Sequence, residues 1–134
     1  MSLIGRLLRV GIINELIVTH RVSDVLDVGT IFVADRDYRV TKILYTPDVV
    51  GSDGSAVTGT VVKVAATATP VDSTTPMMTA DAIDLKGTVH TVQDITLSTT
   101  RADLKIANGD KIGFDLDGTL TAVDGIIQIY LKLF

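Results

Sequence analysis

The residues most suited to chemistry lie in "GFDLDGTLTAVDG", Gly113 to Gly125, where Asp115 and Asp117 flank one leucine and precede Gly118 and Thr119. Paired carboxylates at the end of a strand-like run could act as a nucleophile and as a general acid or base.

Asp-x-Asp-Gly-Thr-Leu resembles the first motif of the haloacid-dehalogenase phosphatases, where the first Asp is the nucleophile and the second the acid/base. In that family the Ser/Thr, the Lys and the metal-binding acidic pair come from later elements of a Rossmann-like fold. Here 17 residues follow Asp117, and they read as a turn and a strand. A parallel sheet needs crossovers of about a dozen residues or more, and no such helices are legible upstream. The expectation is therefore structural: Phe114 and Leu116 on one face, Asp115 and Asp117 on the other, and Asp117-Gly118 opening a turn into a final hairpin.

Other chemistries fare no better. An EF-hand register over Asp115, Asp117 and Gly118 puts Gly113 where the first carboxylate belongs, and no helices flank the loop. His20 and His90 lie seventy positions apart, each in a strand-like run, and read as ordinary strand histidines. There is no Gly-x-Ser-x-Gly elbow and no Gly-rich phosphate loop with a following Lys. The reading is a protein that is not an enzyme, with no cofactor and no metal.

The elements around these residues are strands. Val, Ile and Thr make up about a third of the chain, Trp is absent and aromatics are 4%. β-Branched side chains crowd a helical turn and favour extended backbone. Strand-like runs fall at 16–22, 30–34, 38–46, 56–66, 82–87, 89–97, 103–107, 111–116 and 125–134, separated by turn residues. Pro47, lacking an N–H, is expected to stop the ladder of the third run. Residues 67–78 read as a long loop that ends in Met77 and Met78, either a docking pair on the surface or a cap over the open end of a sandwich. Short strands with Gly, Asp and Pro turns predict an all-β, jelly-roll-like antiparallel β-sandwich over 15–134 as one domain.

Residues 1–14 read as an N-terminal arm, extended or a short amphipathic helix, with Leu3, Ile4, Leu7 and Leu8 on one face and Arg6 and Arg9 toward the other. Those arginines interrupt the apolar run, so neither a signal peptide nor a membrane span is expected, and the product is read as made in the cytoplasm without an anchor. A net charge of −4 disfavours nucleic acid. Cysteine is absent, which excludes disulfides and thiolate metal sites.

Three segments, "YRVTKILYTPDVVGSDGSAVTGTVVKV" (38–64), "DLKGTVHTVQDITL" (84–97) and "LKIANGDKIGFDLDGTLTAVDGIIQIYLKL" (104–133), resemble the head decoration, or cement, proteins of tailed bacteriophages. The turn "ANGD" (107–110) before the last strands matches that family's pattern. The resemblance implies a jelly-roll virion protein on the exterior of an icosahedral capsid, bridging neighbouring major capsid protein subunits. It also implies a homo-oligomer, more often a trimer than a dimer. Leu3, Ile4, Arg6, Leu7, Leu8, Arg9, Met77 and Met78 are the expected capsid or subunit contacts. The competing reading is a carbohydrate- or receptor-binding jelly-roll module of a phage fibre, for which exposed aromatic side chains are scarce.

Overall fold

The computed structural model describes residues 15–23, 29–51, 54–69, 75–118 and 121–133. The expected arm over 1–14, with its six contact residues, lies outside them. Ten strand segments follow one another: β1 (Glu15–Val22), β2 (Gly29–Val33), β3 (Tyr38–Val50), β4 (Thr58–Val64), β5 (Thr75–Pro76), β6 (Ile83–Asp84), β7 (Gln93–Asp94), β8 (Lys105–Ile106), β9 (Lys111–Asp117) and β10 (Val123–Leu133). A single 3-10 turn, Arg101–Leu104, is the one helical element among the described residues.

Every ladder is antiparallel, and two sheets result. The first runs β1-β10-β3-β7, with β8 also on β3; the second runs β2-β9-β4-β5, with β6 also on β4. β7 and β8 pair with different stretches of β3, Leu44–Tyr45 and Tyr38–Arg39, so they lie end to end as one broken strand. β5 and β6 divide β4 in the same way. Each sheet thus has four strand positions, and β1, β2, β3 and β4 alternate between the sheets, as do the segments from β8 to β10. This is a jelly-roll-like β-sandwich.

β10 shows why the sequence folds this way. In "VDGIIQIYLKL" the alternate residues Val123, Gly125, Ile127, Ile129 and Leu131 are buried and those between them are half-buried. Period-two burial with β-branched side chains is the signature of a strand with one face on a core. β3 keeps its inward face only because two bulges reset the count. Val40 and Lys42 face Leu131 and Tyr130, leaving Thr41 extra, and Pro47 and Val49 face Gly125 and Asp124, leaving Asp48 extra.

The second bulge corrects the expectation for Pro47. The strand does not stop there but continues to Val50. A bulge interrupts the regular demand for a ladder N–H, which is where a sheet tolerates proline. The Pro47 carbonyl accepts a hydrogen bond from the His90 N–H at 2.7 Å.

Asp117-Gly118 opens no hairpin. β9 pairs with β2 and β4, whereas β10 pairs with β1 and β3, so the connection passes from one sheet to the other. The runs 82–87, 89–97 and 103–107 contract to two ladder residues each, because turns consume the rest.

The core lies between the sheets. Ile43, Tyr45, Ile127 and Ile129 descend from the first, while Val61, Ile112 and Phe114 rise from the second. Side chains of this size contribute about 1.5–3 kcal/mol each when fully buried. Gly59 is required by this packing, since a Cβ there would lie 2.4 Å from Cε2 and Cζ of Phe114.

Candidate functional site

β9 occupies the interior of its sheet, between β2 and β4. Phe114 points into the core, and Asp115 and Asp117 stand opposite Thr60 and Thr58 in the ladder. The Asp115 Oδ1 accepts the N–H of its neighbour Leu116 at 2.9 Å. Gly118 then takes φ +109°, a conformation that favours glycine. The motif reads as a core strand ending in a turn. Among the described residues, no group of three or more His, Asp or Glu side chains is placed to hold a metal ion.

His20 is on β1, opposite Ile127. His90 is not in a strand: it takes φ +62° in the turn before β7, exposed, with Nδ1 3.5 Å from Oδ1 of Asp48. The β10–β3 pair separates the two histidines, so they do not form one site.

Met77 and Met78 are 0% and 2% exposed and belong to the core. The surface docking pair is thereby corrected. Met78 forms a β-bridge with Leu97, the Met77 carbonyl accepts the Ser98 N–H at 3.1 Å, and Thr79 N–H donates to the Thr96 carbonyl at 2.9 Å. This strip joins the β5 side of one sheet to the β7 side of the other, closing a flank of the sandwich. The Met78 sulfur also accepts the Val61 N–H at 3.3 Å. Pro76 and the loop before it suggest exposure in the sequence, but the pairing partner Leu97 sits nineteen residues beyond Met78.

The Tyr45 hydroxyl is fully buried beside Gly125 and has no hydrogen-bond partner among the described residues. Burial, reinforced by the charges of Asp124, Asp48 and Asp84, raises its pKa well above the ordinary phenol value. It therefore stays neutral at physiological pH. Asp124 instead pairs with Arg21 at 2.7 Å, tying β1 to β10 on the outer face. Tyr38 donates to Asp35 at 2.6 Å, and that hydrogen bond raises the phenol's pKa.

On the described surface, Ile17 is 51% and Leu16 39% exposed on β1, which is an edge strand among the described residues. An open cleft of about 280 Å³ adjoins its start, lined by Glu15, Leu16, Phe32, Asp35, Arg36, Tyr38 and Leu133. The sequence carries a signal for this exposure. "LIV" at 16–18 places three apolar residues in succession, so in a strand of period two at least one must face away from the core.

Compared with known proteins, the chain matches no family model, no curated protein and no solved structure.

Proposed function

We propose that this chain is a non-enzymatic virion structural protein that binds the outer surface of an icosahedral phage capsid and stabilises it by bridging neighbouring major capsid protein subunits. The observation that carries the reading is the use the fold makes of its residues. The one motif with catalytic lettering is a core strand and its turn, while Leu16 and Ile17 lie exposed on β1, an edge strand among the described residues.

Two further features support it. The three segments that resemble cement proteins supply β3, β4, β7, β8, β9 and β10, which belong to both sheets. "ANGD" is a tight turn with Gly109 at φ +91°, fixed to a second turn by the Ala34–Asp110 and Gly109–Ala34 backbone hydrogen bonds, each 2.8 Å. Among the described aromatics, Tyr38, Tyr45 and Phe114 are buried, which leaves little surface for stacking a sugar.

The energetic logic is that of multivalency. A shell under pressure from packaged DNA is held by many weak contacts, and a bridging protein adds buried area that exists only after assembly. Co-sedimentation with full heads tests this: a fixed copy number relative to the major shell protein, with raised thermal resistance of the heads, is expected. Saturating protein that leaves the heads bare and equally heat-labile would count decisively against the proposal.

A further inference from the structure

The four edges of the two sheets are not alike. β7 with β8, and β5 with β6, are edges broken into segments of two residues each. β2 has five residues and a register shift between Thr30 and Phe32. Broken, short and bulged edges resist pairing with other strands. β1 has none of these devices: eight residues, each paired one to one with β10, and no shift. It contains neither Pro nor Lys, and among the described residues nothing pairs with its outer edge.

We propose that β1 is a self-association edge, pairing antiparallel with β1 of a second copy about a two-fold axis at Val18, so that the first sheet runs unbroken through both molecules. Residues directly opposite in an antiparallel pair point to the same face. A two-fold normal to the sheet keeps both cores on one side, so each residue must meet one of its own parity, and one residue must meet itself. Centring on Val18 pairs Glu15 with Arg21 of the second copy, twice, on the outer face. It also sets Ile17 against Thr19 there, and Leu16 against His20 on the inner face. Centring on Ile17 would oppose Glu15 to Thr19, and centring on Thr19 would oppose Ile17 to Arg21, so neither pairs opposite charges. Arg21 already holds Asp124 at 2.7 Å, and the second copy's Glu15 would complete a three-membered network across the seam.

This inference rests on the strand itself and not on the capsid reading. The full chain is weighed by sedimentation equilibrium at micromolar concentration, and twice 14.3 kDa is expected. Glu15→Lys replaces two attractive pairs with two repulsive ones and is expected to weaken association about tenfold, the more so at low salt. The chain lacks cysteine, so Ile17→Cys, Val18→Cys and Thr19→Cys each introduce a single thiol. Under mild oxidation Val18→Cys should cross-link fastest, since directly opposed Cα atoms lie about 4.5–5.5 Å apart and residues two steps out of register lie beyond the roughly 7 Å limit for a disulfide. Circular dichroism confirms that each variant is folded.

A monomer of 14.3 kDa, including one whose edge is covered by its own residues, overturns the proposal. So does a trimer, or a dimer indifferent to Glu15→Lys and to the position of the thiol. A monomer that still coats phage heads would end this inference and leave the capsid reading standing; a two-fold dimer that ignores heads would do the reverse.

Discussion

Replacing Gly59 with alanine tests the packing where the strand backbone meets a core ring. The new methyl would sit 2.4 Å from two ring carbons of Phe114, which is itself fully buried. Carbon atoms rest at about 3.5–4.0 Å, so the ring would have to retreat by about 1 Å or more into a core packed like a molecular crystal. Overpacking of this kind costs about 1–3 kcal/mol, and the upper part of that range is expected. Phe114→Leu removes the ring edge and on its own should cost about 1–2 kcal/mol, a fraction of the 3–5 kcal/mol of full truncation. In that background Gly59→Ala meets no ring and still restricts the unfolded chain, so its effect should reverse to neutral or to a gain of about 0.5 kcal/mol. Urea unfolding of the wild type, both single variants and the double variant gives the coupling, expected at about 2 kcal/mol. Additivity within about 0.5 kcal/mol would refute the packing account.

Tyr45→Phe should stabilise the protein by about 1 kcal/mol, because it removes a buried hydroxyl that lacks a protein partner; urea midpoints at pH 7 check it. The same variant should extend the alkaline range. With the native pKa raised above 10.0, the phenol is neutral in both states below that pH and adds no pH dependence there, but rising pH ionises it in the unfolded chain first, so the wild type should weaken above pH 10.0 more steeply than Tyr45→Phe. Asp115→Asn should change stability by less than about 1 kcal/mol. A magnesium-dependent phosphate-release assay should give no signal from the wild type, and an activity abolished by that substitution would reinstate the phosphatase. Met78→Ala should cost about 2–5 kcal/mol in thermal or urea unfolding, the penalty of a core cavity and not of a lost contact surface.

Much of the sandwich was legible because its long strands obey local rules. The strand-like runs at 38–46, 111–116 and 125–134 and the polar break at 35–37 all reappear as β3, β9, β10 and the turn before β3. What was illegible depends on partners distant in sequence. Pro47 survives inside β3 because Asp48 forms a bulge against the Asp124–Gly125 step of β10, which no window around Pro47 reveals. Gly118 announces a turn, but a turn does not say whether the next strand returns to the same sheet. Leu97 closes the Met77–Met78 strip from outside its loop, and the turn at His90 takes a positive φ that its sequence does not advertise. Of the association surface, Leu16 to Val18 were readable as a run but not as an edge, since edges are decided by the whole strand order.

β10 is the middle plank of its sheet, holding β1 at Glu15–Val22 on one side and β3 on the other. On a ribosome, β1 and β3 therefore emerge and wait while some seventy further residues are made before their common neighbour arrives. Such long-range closure makes folding slow and leaves adhesive strands uncovered during synthesis. A nascent chain stalled before Val123 should engage chaperones, and yield should respond to translation speed through the region 51–122 more than to the strength of any single core contact.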